Sequence, residues 1–306
     1  MDDLVERIKS SIENRSCEPW FPRLTHDLAT RAWNSLHWEI GLAPDSYGTE
    51  RVLARSTSAP RAVVTVLNRV PICASAQVIS IEVLTPTWAT QYQERGVAFY
   101  TTDEILHTTI LSSLEDALAL INQVPSLMRT VAALVRSLHV IRPENADYDV
   151  SFSEPHVPFS IFVSVPARRM ANDALRVAEA IVHEAMHLQL TLIDGIVPLT
   201  YSTMGAYYSP WRGEYRSPLG VLHALYVFQV VAHLLHRLHS IQNLPADTLD
   251  YINDRHATIR GQVREIESFG HCGTLTLSGA SLSQRLILNK FTSPIGDFGN
   301  LDLGFQ

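Results

Sequence analysis

The chain has 306 residues, of which 46% are hydrophobic and only 18% are charged. This composition excludes a disordered chain and is typical of a globular protein with a large buried core. With 24 basic and 31 acidic residues the net charge is −7, which argues against a surface that binds nucleic acid or an anionic membrane. The cysteines are three, Cys17, Cys73 and Cys272, and their wide spacing argues against a disulfide framework or a cysteine zinc site.

The sequence also has no pattern that predicts a targeting signal. The N-terminal segment is acidic and amphipathic, without the apolar stretch of a signal peptide. The longest apolar run, 219–235, is interrupted by His223, Gln229 and His233, so we expect it to fall short of a membrane span. The sequence therefore predicts a soluble cytoplasmic protein that binds neither nucleic acid nor a membrane, and it leaves the oligomeric state open.

Hydrophobic periodicity predicts a mainly α fold with a small β-sheet, an α+β class. We expect the chain to consist of a mostly helical region at 1–148 and a core at 149–306 that carries the candidate functional residues, the two forming one compact unit. Two adjacent segments rich in β-branched and aromatic residues predict a strand pair at 148–155 and 159–166. In the first region we predict helices at 2–15, 24–41, 103–122 and 125–138 and strands at 61–71 and 77–84.

The helix predicted after the strand pair has the features of a helix that lines a site. Asn172 or Asp173 can cap its first turn, and Gly195 can end it. The helix is apolar on most faces, but its polar residues recur at steps of three or four and therefore share one stripe. These polar residues are Arg176, Glu179, His183 and His187.

A second apolar helix that bears histidines follows the first. Residues 196–216 are predicted to be a long connection, after which Ser217 and Pro218 have the pattern of a helix cap and first turn. We expect this second helix to pack against the first. Another helix is predicted at about 246–268, with a short apolar piece at 281–289.

The segment His183-Glu184-Ala185-Met186-His187 is an HExxH motif. Two imidazoles at positions i and i+4 lie about one turn apart on one helix face, so both nitrogens can bind one metal ion. Glu184 lies next to that face and can act as a general base or orient a ligand. Two core histidines with ordinary hydrogen-bond partners would give the same sequence. Burying a histidine pair beside a glutamate costs free energy, however, unless these side chains bind a metal or pair with other groups.

A third ligand is required, and two candidates remain open. The metzincin extension is excluded because Leu190 and Ile193 stand where that pattern needs Gly and His. Glu214 would complete a two-histidine, one-carboxylate set, which is the usual set for non-haem iron. His223 lies on the next helix, and a rigid helix holds a ligand better than a loop does. We therefore place His223 first and Glu214 second.

The segment from Trp211 to Arg216 supplies two arginines just before a helix N-terminus. Arg212 and Arg216 can pair bidentately with a carboxylate, and the helix end adds positive potential. Two surface arginines packed on Trp211 would have the same sequence. Further along, His233, His236 and His239 are spaced by three, which spreads them around the helix, so we interpret them as a solvated, partly cationic face rather than a second metal site.

The run DVSFSEPHVPFSIFVSVP, the helix AEAIVHEAMHLQLTLID and the run SPWRGEYRSPLGVLHALYVF together resemble a family of HExxH-containing peptide-modification proteins. That resemblance covers about residues 149–235. It implies an iron(II)- and α-ketoglutarate-dependent oxygenase that uses O2 to hydroxylate a side-chain β-carbon of a ribosomally made precursor peptide. It also implies that His183 and His187 bind the iron, with Arg212 or Arg216 holding the distal carboxylate of α-ketoglutarate.

Two other functions fit part of the pattern. A zinc metallopeptidase would use Glu184 as the general base for a zinc-bound water, and only the arginine pair would lack a role. A non-catalytic regulator with a vestigial site would bind no stoichiometric metal and would tolerate His183→Ala. Metal identity and dependence on α-ketoglutarate distinguish the three functions.

Overall fold

The computed structural model describes residues 2–40, 50–51, 64–74, 77–84, 86–144, 150–153, 159–201, 205–241 and 244–288. The chain divides into two compact units, Met1–Pro198 and Leu199–Gln306. The boundary predicted between 148 and 149 therefore lies inside the first unit. The structure is mainly helical with a small mixed sheet, which confirms the predicted fold class.

The first unit combines seven described helices with a six-stranded sheet. The sheet has the strand order β1-β2-β3-β4-β6-β5, with parallel pairs at its centre and antiparallel pairs toward both edges. The helices are α1 Asp2–Glu13, α2 Pro22–Ile40, α3 Pro86–Gln93, α4 Thr102–His107, α5 Ile110–Asn122, α6 Pro125–Leu134 and α7 Asp173–Asp194. The strands are β1 Glu50–Arg51, β2 Val64–Ala74, β3 Gln77–Leu84, β4 Ser137–Ile141, β5 Ser151–Phe152 and β6 Ser160–Ser164.

The region at 103–138 differs from the two helices predicted there. The helix predicted at 103–122 is divided into α4 and α5, because the backbone of Thr108 is extended and interrupts the helix. Thr101 and Glu104 form a reciprocal capping box that begins α4. The second ends at Leu134, and Leu138 lies in strand β4. The apolar run of β4 pairs with β3 and β6, and this pairing overrides the helical spacing read from the sequence.

The strand pair predicted before the HExxH helix is confirmed where the structure describes it. Ser151 pairs with Val163 and Phe152 pairs with Phe162 in antiparallel register. Phe152 stacks on Phe162 with ring centroids 4.4 Å apart. Strand β5 is thus the edge of the sheet, and the predicted strand residues 148–149 and 154–155 lie outside the described residues.

Helix α7 lies in the core of the first unit, as predicted. It packs against α2, α5 and α6 and against strands β5 and β6. Many of its apolar side chains, among them Ile181, Val182 and Met186, are fully buried. Asn172 holds the N-cap position in the left-handed region (φ 62°) without a side-chain cap bond, and Gly195 follows the last turn.

The second unit contains a small hairpin and three helices in its described part. The hairpin, β7 Tyr207–Ser209 and β8 Glu214–Arg216, lies within the segment predicted to be a plain connection. It forms because Pro210 and Gly213 (φ 67°) supply the turn. The helices are α8 Pro218–His239, α9 Ala246–Glu265 and α10 Leu277–Ile287, with a short 3-10 helix at Glu267–His271.

Helix α8 begins as the sequence predicts. The Ser217 side chain accepts a hydrogen bond from the Gly220 amide, and Pro218 occupies the first turn. In the described part of the chain α8 is the one helix long and apolar enough to cross a membrane, against the expectation that its apolar run is too short. Its most apolar window is 72% buried inside the protein, so length and composition are weak evidence for a membrane span.

Candidate metal centre

The HExxH motif lies in the middle of α7, and its two histidines lie on the accessible face of that helix. The Nε2 atoms of His183 and His187 are 3.1 Å apart, and their rings meet edge to face with centroids separated by 4.8 Å. A quarter of the His183 side chain is exposed to solvent. The accessible face follows helical spacing and contains Arg176, Ala180, His183, His187 and Thr191.

This pair fits a metal ion by the chemistry of its donors. Imidazole nitrogens bind zinc or iron at about 2.0–2.1 Å, so two nitrogens 3.1 Å apart can both reach one ion. The same distance allows one ring to donate an N–H to the other, which holds a proton where an ion would bind. In either state both nitrogens point to one place that solvent can reach.

Glu184 has a different environment from its histidine neighbours. Its side chain is buried, with 2% of the residue exposed. The hydroxyl of Ser151 donates a 2.8 Å hydrogen bond to Glu184 Oε1, and the same oxygen lies 4.0 Å from His183 Nε2. The carboxylate is therefore fixed between the edge strand β5 and the first histidine of the motif.

One polar residue of the predicted stripe is more buried than expected. Glu179 is buried rather than solvent-facing. Asp173 is also buried and accepts a hydrogen bond from the Met170 amide, with the Arg176 guanidinium 3.8 Å away. Asp173 thus ties the start of α7 to the chain before it, whereas the two histidines stay accessible.

Both candidates for the third ligand belong to the second unit. His223 is half-buried in α8, and desolvation lowers its pKa to about 4, so its imidazole is neutral at neutral pH. Glu214 is exposed on β8, and its Oε1 lies 3.7 Å from Arg216 Nε. Among the described residues of each unit, no three His, Cys, Asp or Glu side chains lie close enough together to hold a metal ion. The choice between His223 and Glu214 stays a prediction.

The two arginines predicted to bind a carboxylate lie on and beside the hairpin turn. The turn is closed by the amides of Arg212 and Gly213, which both donate to the Ser209 carbonyl. Trp211 folds back and stacks in parallel on Phe228 of α8, with ring centroids 5.5 Å apart. The Arg212 side chain is thereby presented to solvent from an anchored turn, while Arg216 lies beside Glu214.

The predicted solvated, cationic face at His233, His236 and His239 is wrong at His233, while His236 and His239 are partly exposed. His233 is 2% exposed, and its Nε2 accepts a hydrogen bond from Arg237 Nε at 3.4 Å. Burial, aided by the charge of Arg237, lowers the pKa of His233 to about 3. Burial also lowers the pKa of His236, whose ring lies 6.4 Å from that of His256 on α9. The prediction failed at His233 because helix packing, which the spacing does not reveal, buries that side chain.

Sequence reasoning missed two polar partners of α7. Ser151 binds Glu184 from 33 positions away, and Gln189 donates to the Trp20 carbonyl and the Thr25 hydroxyl across more than 160 positions. The alternation of the strand YDVSFSEP does place Ser151 on the face opposite Phe152. Nothing local in the sequence indicates which helix that face meets.

Comparison with models of known protein families and with curated proteins finds no match for this chain. The resemblance to HExxH peptide-modification proteins therefore rests on the three sequence segments within residues 149–235, and membership of that family stays a prediction. Support for a function therefore comes from the geometry and chemistry of the site itself.

Proposed function

We propose that the protein is a non-haem iron(II)- and α-ketoglutarate-dependent oxygenase that hydroxylates a side-chain β-carbon of a ribosomally made precursor peptide. The observation that carries the metal site is the pair of His183 and His187 nitrogens, 3.1 Å apart on the accessible stripe of a buried helix. The resemblance of residues 149–235 to peptide-modification proteins supports the reaction class and the substrate class.

In this proposal the chain supplies ligands, orientation and a shielded site. His183 and His187 would hold the iron, with His223 or Glu214 as the third ligand. Bound iron, α-ketoglutarate and O2 supply the oxidising chemistry. Arg212 or Arg216 would pair with the distal carboxylate of the keto acid, since a guanidinium binds a carboxylate bidentately. An extended peptide would add to the edge strand β5, where main-chain groups can pair with it.

The environment of Glu184 favours an oxygenase over a zinc metallopeptidase. A peptidase needs this carboxylate to take a proton from the attacking water, which requires access to the open side of the metal. Glu184 is buried, and one of its oxygens accepts a hydrogen bond from Ser151. A carboxylate held in this way is better suited to orienting the metal pair than to exchanging protons with substrate water.

The test is anaerobic purification with metal analysis, followed by an assay for succinate formed from α-ketoglutarate with Fe(II) and O2. We expect one iron per chain and slow succinate formation even without peptide, lost in His183→Ala. Glu184→Gln should reduce turnover without abolishing it. One zinc per chain, no succinate, and peptide cleavage that Glu184→Gln abolishes would instead establish the peptidase. A chain without stoichiometric metal would be a regulator with a vestigial site.

A further inference from the structure

The edge strand β5 is held rigidly on both sides of Ser151. The backbone of Val150 pairs with Ser164, because the Val150 amide donates to Ser164 Oγ and the Ser164 amide donates to the Val150 carbonyl, at 2.9 and 2.8 Å. On the other side, Phe152 stacks on Phe162 and lies 6.0 Å from the Tyr92 ring. Ser151 is therefore presented from a fixed backbone, with its hydroxyl on the face opposite the aromatic cluster.

The hydroxyl of Ser151 completes a polar chain that reaches the metal pair. It donates to Glu184 Oε1 at 2.8 Å, and that oxygen lies 4.0 Å from His183 Nε2, which in turn is 3.1 Å from His187 Nε2. Glu184 directly follows His183, so its side chain leaves α7 about 100° around the helix from the histidine face. Without an anchor, such a carboxylate has several rotamers open to it.

We infer that Ser151 is a positioning residue for the metal centre. Its hydrogen bond fixes the Glu184 carboxylate so that one oxygen stays close to the His183 nitrogen. In that place the negative charge stabilises a divalent cation on the histidine pair and limits the orientations of the His183 ring. The inference rests on the proposed function only in requiring that the pair binds a metal.

The experiment is a titration of the metal-free full-length chain with Co(II) alone, because Co(II) reports both affinity and coordination through its visible absorption. Ser151→Thr and Ser151→Val form a matched pair, since both are β-branched and suit an edge strand, but only threonine keeps the hydroxyl. Ser151→Ala is the simple deletion. Ser153→Ala is the control, because Ser153 belongs to the same segment and has the same type of side chain.

We expect Ser151→Val and Ser151→Ala to weaken Co(II) binding by about 10- to 100-fold, the usual cost of removing a partner behind a metal ligand, and to change the absorption spectrum. Ser151→Thr and Ser153→Ala should keep wild-type affinity and spectrum. A purely structural role would lower the melting temperature of the metal-free chain in Ser151→Val but leave the Co(II) spectrum of the folded fraction unchanged.

The outcomes separate this inference from the proposed function. Wild-type affinity and spectrum in both Ser151→Val and Ser151→Ala would overturn the role of Ser151 and leave the oxygenase proposal standing. Weakened Co(II) binding in those variants, together with no succinate formation by the iron-loaded wild type, would support the positioning role of Ser151 and overturn the oxygenase proposal. A wild-type chain that fails to bind Co(II) would overturn both.

Discussion

Helices α7 and α8 have the same length, 22 residues, and both are largely buried and bear histidines, yet the HExxH pair of α7 and His233 of α8 lie in opposite environments. In α7, spacing by four brings two nitrogens within 3.1 Å on a face that solvent reaches. In α8, His233 is buried and accepts a hydrogen bond from Arg237. Histidine content alone therefore does not distinguish these environments; the spacing and accessibility of the α7 pair are what support the proposed metal site there.

The largest expected effect tests this difference through metal binding. His187→Ala removes one of two nitrogens that share a site, so the affinity for Fe(II) or Co(II) should fall by at least about 100-fold, beyond the cost of losing an outer partner. His239→Ala, on the last turn of α8, should bind the same amount of metal as wild type. Metal per chain after equilibrium dialysis measures both. Equal losses in the two variants would contradict the distinction between the helices.

The approach of the two HExxH histidines was predictable from sequence because it is local. An i, i+4 pair on one helix has its geometry fixed by the helix itself, so the letters HExxH predict the approach of His183 and His187. The cap at Ser217 and the strand pair before α7 are local in the same sense, and both are confirmed. By contrast, the contact of Ser151 with Glu184 depends on where an edge strand meets a helix, which no short pattern encodes.

Burial was the other property that the sequence did not reveal. The position of His233 in its spacing by three is compatible with a solvated face, and only the packing of α8 in the second unit buries its side chain. In the same way, strand β4 has a sequence that continues the helical pattern of α6, and its pairing with β3 and β6 makes it a strand. Tertiary contacts override local preference in both cases.

The next prediction compares two buried glutamines, one on each helix. Gln189 of α7 donates to the Trp20 carbonyl at 2.7 Å and to the Thr25 hydroxyl at 2.5 Å. Gln229 of α8 is fully buried, and neither atom of its amide has a hydrogen-bond partner within the described part of the chain. A glutamine-to-leucine substitution keeps approximately the same volume, so the two variants differ mainly in hydrogen bonding.

Gln189→Leu should lower the free energy of unfolding by about 2–3 kcal/mol, because it removes two hydrogen bonds and leaves buried acceptors behind. Gln229→Leu should leave it unchanged or raise it by about 1 kcal/mol, because it removes a buried amide that makes no hydrogen bond. Urea denaturation at neutral pH measures both. A loss of 2 kcal/mol or more in Gln229→Leu (about the same cost as at Gln189) would mean that its amide is bonded in solution.

The smallest expected effect is a dependence of stability on pH that originates in α8. Burial lowers the pKa of His233 to about 3, with contributions from the charges of Arg237 and His236, whereas an unfolded histidine has a pKa of about 6.5. The groups near this part of α8 are Arg237 and His236 on the same helix and His256 on α9. Below pH 6.5 the unfolded chain therefore binds a proton that folded His233 does not bind until about pH 3.

Stability should consequently fall as the pH drops through this window, by about 1.4 kcal/mol from His233 alone between pH 7.5 and pH 5.5. His233→Gln should show a correspondingly smaller loss over that range, while His26→Gln, which removes an exposed histidine of the first unit, should follow wild type. Urea denaturation at the two pH values measures each difference. Because His223 has a pKa lowered to about 4 by the same cause, part of the loss should persist in His233→Gln. Identical losses of stability in His233→Gln and wild type would mean that the ring of His233 takes up its proton without unfolding. The contrast between the accessible pair on α7 and the buried His233 on α8 would then not hold.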